Sequence, residues 1–251
     1  ATGARIIVFE TSGVIDLGSE RLRISAPYVS IAGQTAPSPG ITLIKGGIEV
    51  ATHDVIIQHL RVRSGEAGHA KGSGFSMNPI WTVAGAENVI IDHCTTSWAS
   101  DENLTVAGWG QTSGDIAQWR AAVSRNVTLS QNIVAESLLN STNAAAQAYG
   151  TLVMDNASGI LVYGNFYAHN NARNPEFKGG AHGAIVNNLT YNPRLAFLSY
   201  TLQSSEWEVQ GFVAPYERGK LSAVGNVARA GPSTTQVASY LTVVSNADVE
   251  Y

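Results

Sequence analysis

Apolar residues along this chain fall into short, strand-length runs, each passing through a Gly, His or Asn at the same place. They are Val29-Ser30-Ile31-Ala32-Gly33, Val55-Ile56-Ile57-Gln58-His59, Val89-Ile90-Ile91-Asp92-His93, Val127-Thr128-Leu129-Ser130-Gln131-Asn132, Ile160-Leu161-Val162-Tyr163-Gly164-Asn165, Ala184-Ile185-Val186-Asn187-Asn188 and Ala223-Val224-Gly225-Asn226. The steps between positions 33, 59, 93, 132, 165, 188 and 226 are 26, 34, 39, 33, 23 and 38. The shortest step suits one bare coil of a parallel β-solenoid, and the longer ones a coil with an inserted loop. Stacked repeats gather such insertions on one face, often the binding face. The β-branched runs suit strands. An Asn at a coil corner tolerates left-handed φ and can bond the coils above and below, which predicts a stacked polar ladder. Asp92 and His93 are assigned to that ladder. The stretches 65–74, 108–114 and 140–150 read as loops within one domain spanning 1–251.

Composition narrows the class. Of 251 residues, 44% are hydrophobic and only 14% charged, with 25 Gly, a profile of strands and tight turns rather than helical surfaces. A net charge of −4 argues against nucleic-acid binding, which wants a basic face. No run approaches the length of a membrane-spanning helix. Cys94 is the single cysteine, so no intrachain disulfide is expected. Five Asn-X-Ser/Thr sequons, at Asn103, Asn126, Asn140, Asn156 and Asn188, are what abundant Asn and Thr produce by chance. The chain opens at Ala-Thr-Gly without an initiator Met or signal peptide, which reads as a processed or trimmed form.

Three features carry chemistry. Arg173 and Lys178 stand five residues apart around Pro175, between two β-branched and aromatic runs, a spacing suited to gripping a carboxylate. Asp101 and Glu102 are hard-oxygen ligands of the kind calcium takes, although strand alternation sends neighbours to opposite faces unless the backbone bends. Trp81, Trp98, Trp109, Trp119, Tyr149 and Trp207 lie near loops and could stack on sugars, with core packing as the ordinary alternative.

Several motifs together resemble the pectate lyase family, polysaccharide lyase family 1. They are Val89–Cys94 with Ser97-Trp98 and Asp101-Glu102, His169–Asn171 with Arg173-Asn174-Pro175, and Val186–Asn188 with Tyr191-Asn192. Ile31–Pro37 resembles the family's bacterial branch. The likeness runs from about residue 5 to 195 and is weak beyond about 200.

The resemblance implies an all-β, right-handed parallel β-helix with loops inserted on one face. It implies β-elimination on a uronate polysaccharide, pectate or polygalacturonate being the expected substrate. In that reaction a base removes the C5 proton of a uronate, the glycosidic oxygen leaves C4, and a 4,5-unsaturated sugar results. Arg173 corresponds to the base, and Lys178 falls where the family's second Arg binds the substrate carboxylate. Asp101 and Glu102 correspond to ligands of Ca2+, and Trp98, His169 and Asn174 face the substrate. Asn78-Pro79 occupies a place where a further Asp ligand is expected, and 140–150 lacks an expected cation. Because guanidinium normally stays protonated, an Arg base calls for a dry site crowded with cations.

The resemblance further implies a secreted, extracellular or periplasmic protein acting as a monomer, bound to no nucleic acid or membrane. It implies a chain starting inside the family's usual domain, without the N-terminal coil and cap. Two other readings stay open. One is a β-helical glycoside hydrolase drawing two carboxylates from Asp92, Asp101, Glu102, Glu136, Asp155 and Glu176. The other is a non-catalytic carbohydrate-binding or adhesive solenoid.

Overall fold

Successive turns of the chain lie one on another, so each strand pairs in parallel with the strand one coil before and one coil after. The computed structural model describes residues 3–83, 85–108, 115–143, 147–201, 218–235, 240–244 and 247–250. Among them, sheets of nine, eight and eight strands wind into a right-handed parallel β-helix. Each coil gives one strand to each sheet in turn. In the fourth coil Glu87–Asp92 lies in the first sheet, Thr95–Ser97 in the second and Glu102–Val106 in the third. A short helix, Ile116–Ala122, follows that coil, with the Asp115 carboxylate accepting from the backbone amides of Ala117 and Gln118.

Register stacks like on like. Val55, Val89 and Val127 form one inward column, and Ile57, Ile91, Leu129, Val162 and Ile185 another, all essentially fully buried. Burying such a side chain contributes about 1.5–3 kcal/mol. A lone coil has no interior to bury it in, so the gain exists only in the stack.

The corner between the first and second sheets is only two residues long in each of these coils and carries the predicted ladder. Asn132 Nδ2 donates to Asn165 Oδ1 at 3.0 Å, Asn165 Nδ2 to Asn188 Oδ1 at 3.0 Å, and Asn188 Nδ2 to Asn226 Oδ1 at 2.9 Å. Each amide also donates to a backbone carbonyl of the preceding coil, as Asn165 does to Leu129 at 2.8 Å. Cys94 heads the column, its backbone N–H donating to Asn132 Oδ1 at 2.8 Å. The register corrects the repeat read from the sequence by one residue. His59 and His93 align with Gln131, Gly164 and Asn187, in the left-handed position immediately before the ladder. The two columns are adjacent in every coil, and Asn187-Asn188 places an Asn in both, so the sequence alone does not separate them. The imidazoles of His59 and His93 stack there at 4.8 Å.

Insertions gather instead at the two edges of the third sheet, at 64–79, 107–124, 136–148 and 169–175. Replacing Asn165 with Ala would remove a buried amide that both donates and accepts, at about 1–3 kcal/mol for each group left unsatisfied. Urea unfolding is expected to show a loss of at least about 2 kcal/mol at unchanged m.

Candidate functional site

Leu104 and Val106 point into the core, so strict alternation would turn Thr105 outward and Glu102 inward. The strand bends at its start instead. Asn78 Nδ2 donates both to Glu102 Oε2 at 3.0 Å and to Thr105 Oγ1 at 2.6 Å, placing Glu102 on the outer side. Asp101 sits in the bend, its Oδ2 accepting from Ser76 Oγ at 3.1 Å. The two acids are close enough to repel one another.

Two coils further on, the turn 169–175 is held from both sides. Thr151 N–H donates to Arg173 O at 2.6 Å and Gly150 N–H to Ala172 O at 3.0 Å, while Asn174 N–H donates to Phe197 O at 3.1 Å. A Cβ on Gly150 would overlap the Arg173 carbonyl oxygen, so that close approach requires glycine. Beneath the turn a second amide network runs from Asn103 to Asn170 at 3.3 Å and from Asn170 to Asn174 at 3.0 Å. Arg173 itself adopts φ 62°, a left-handed conformation uncommon outside Gly and Asn.

That conformation sends the Arg173 side chain back across the third sheet. One terminal nitrogen bonds Glu102 Oε1, Nε donates to Glu176 Oε2 at 2.9 Å, and the guanidinium lies 3.8 Å from the centre of the Tyr149 ring. Residues from three coils thus converge on one cation. Burial pushes the Arg173 pKa down, but Glu102, Glu176, Tyr149 and Asp101 outweigh it and hold the group above its ordinary value. Burial, and then repulsion from Asp101, pushes Glu102 up to about 7 despite Arg173 and Asn78. Asp101 is also raised by burial, against Arg173 and Ser76. The surroundings of Arg173 are therefore anionic, the opposite of the cation-crowded site that an Arg base calls for.

Lys178 ends the strand Glu176–Lys178 and, two residues on from Glu176, shares its outer face. Its charge opposes the rise in Asp155, which burial pushes up to about 7. Asn174 is 1% exposed, with its amide bonded to Asn170 and to Ala196 O at 3.0 Å, so it holds the turn from beneath. His169 and Trp98 stand one coil apart from Glu136 in a left-handed column at the end of the second sheet. Trp98 is 41% exposed, donates to Glu136 Oε2 at 3.2 Å and lies under the Arg63 guanidinium. His169 Nδ1 meets Asn192 Nδ2 at 2.8 Å, and its ring packs edge-on against Tyr191. Trp119 is core, whereas Trp109 and Trp207 lie outside the described residues. Glu102 and Glu176 are bridged by Arg173 rather than facing each other across an open gap, which disfavours the two-carboxylate hydrolase. The sequence marks Glu176 only as one carboxylate of the hydrolase reading and does not mark Ser76 at all. The signal that could have placed Glu176 here is its spacing from Arg173.

No protein-family model matches the chain. Over 189 residues, 75% of its length, it is 32% identical to the protein named "Probable pectate lyase C" of Emericella nidulans, covering 38% of that relative. Over 238 residues, 93% of its length, it is 29% identical to the protein of the same name from Aspergillus terreus, covering 46%. The chain belongs to the pectate lyase family. It spans less than half the length of these curated relatives, which are fungal and give no support to the bacterial branch. Arg173, Asp101 and Glu102, the residues expected from the sequence, are brought to one spot on the outer face of the third sheet.

A calcium ion takes hard oxygen ligands, six to eight of them. Among the described residues, no group of three or more His, Cys, Asp or Glu is arranged to hold a metal. Asp101 and Glu102 are nevertheless adjacent hard-oxygen donors whose mutual repulsion a cation would relieve, so the donor chemistry fits. Because Glu102 binds its proton more tightly folded than unfolded, its contribution is greatest below the ordinary carboxylate pKa and is lost as pH rises to about 7. In chelator, Tm of the wild type is expected to fall across that window. Glu102→Gln should flatten the fall, and an equal slope in the variant would show that Glu102 is not its source.

Proposed function

We propose that this chain is a polysaccharide lyase acting on a uronate polymer, pectate first, by β-elimination. What carries the reading is the placement of Arg173, the family's base position, on the outer face of the third sheet against Glu102, Glu176 and Tyr149. The reaction needs the C5 proton removed and the negative charge of the enediolate offset before the C4 oxygen leaves. Lys178, on the same face, meets the uronate carboxylate as a point charge rather than a bidentate fork. Tyr149 and the two glutamates fix the guanidinium plane, which limits where a C5–H can approach it. Asp101 and Glu102 would hold a calcium ion, whose charge would help neutralise the uronate carboxylate and the acids around Arg173.

The anionic surroundings favour a second assignment within the same reaction. Arg173 stays protonated and stabilises the enediolate, and another group takes the proton. The two assignments separate experimentally. With Arg173 as base, Arg173→Ala and Arg173→Lys both lower kcat on polygalacturonate by at least about 100-fold, read as loss of the ultraviolet absorbance of the unsaturated product. With Arg173 as a charged stabiliser, Arg173→Lys retains a substantial part of the activity that Arg173→Ala loses. Full activity in Arg173→Ala would remove the residue from the mechanism. Lys178→Ala is expected to act chiefly by raising KM. For calcium, titration calorimetry should detect binding to the wild type and its loss in Asp101→Asn.

A further inference from the structure

The outer face of the third sheet continues well past Glu176 towards the first coil. One outward column runs through adjacent strands as Arg23, Glu49, Trp81, Thr105, Leu152 and Glu176. At about 4.8 Å per strand, Trp81 stands roughly 14 Å and Arg23 about 24 Å from Glu176. Two cations gather at this far end. Arg21 lays its guanidinium over the Trp81 ring at 5.2 Å and donates to Ser76 O at 3.0 Å. Its neighbour in the next coil is Gly47, which offers no side chain to block that reach. Arg23 is ion-paired with Glu49, yet its own side chain remains 61% exposed against 12% for Glu49. In the opposite direction the column passes to Ser199 and Thr242, which carry no charge.

We propose that Arg21, Arg23 and Trp81 form a distal subsite for the carboxylates of an acidic polysaccharide, several sugars from the bond that breaks. The inference rests on the lyase reading for the identity of the polymer and its path along the third sheet. A guanidinium stacked on an indole is held in one plane, and with Nε of Arg21 buried it is the terminal N–H groups that would meet a carboxylate. An ion pair as exposed as that of Arg23 is weak, so an incoming carboxylate can share the cation without breaking a buried bond. The strand spacing is comparable to the advance of one sugar in an extended pyranose chain. Carboxylates along the polymer therefore meet these cations at set distances from Arg173. Among the described residues of this column the cations lie only on the first-coil side of Arg173, so the subsite also sets the direction in which a long chain gains contacts.

Calorimetry with galacturonate oligomers of increasing length, on protein blocked by Arg173→Ala, tests the subsite directly. Affinity is expected to climb once the oligomer spans from Glu176 to Trp81, and Arg23→Gln with Trp81→Leu should cut the octamer's affinity about tenfold while leaving the dimer's unchanged. Fully methyl-esterified oligomers should show no such climb. The same length dependence with and without the two substitutions would overturn the subsite. Far-ultraviolet circular dichroism of the double variant checks that the coils are intact, and Arg23→Gln alone, at an exposed position, keeps the test decisive if Trp81→Leu does not fold. The outcomes separate the two proposals. Length-dependent, Arg23-dependent binding without cleavage by the unblocked protein leaves the subsite and removes the lyase. Cleavage with an unchanged KM for long polymer in Arg23→Gln leaves the lyase and removes the subsite.

Discussion

A buried amide that accepts from one coil and donates to the next is the constraint on which this molecule turns. Asn132, Asn165, Asn188 and Asn226 occupy the shortest corner of the helix, where there is no loop to absorb a slip. A shift of one residue would orphan the amides and turn each apolar column outward, because side chains in a strand alternate. Loops can then vary in length at the other corners without disturbing the stack. The site depends on that rigidity directly. Glu102 belongs to the fourth coil, Tyr149 to the fifth, and Arg173 and Glu176 to the sixth, so their meeting is a property of the register. The second network, from Asn103 through Asn170 to Asn174, ties the same coils under the turn that carries Arg173.

Electrostatically the site holds more negative than positive charge. Asp101, Glu102 and Glu176 crowd one buried guanidinium, and burial raises Asp101 and Glu102 where Arg173 alone cannot offset them. Such an arrangement costs stability at neutral pH and is suited to accepting a further cation. It also places the chemistry under tension. The acids that hold the Arg173 side chain in place are the groups that oppose its giving up a proton.

Much of this was legible in the residues themselves. The recurring runs, the corner asparagines and the scarcity of charge determined a parallel solenoid, because β-branched alternation and left-handed Asn are local properties that stacking only reinforces. The segment around Arg173 was legible as a cationic turn for the same reason, since its spacing and Pro175 are local. What alternation could not supply was the bend that brings Asp101 and Glu102 together, which needs Asn78 from the preceding coil. Nor could it supply the anionic character of the Arg173 pocket, because Glu102 is 71 residues away along the chain. Asn174, beside Arg173 in sequence, turned out to be buried beneath it. Those outcomes belong to the tertiary structure alone: charges interact through space, and only the stacking of coils sets which distant side chains share one.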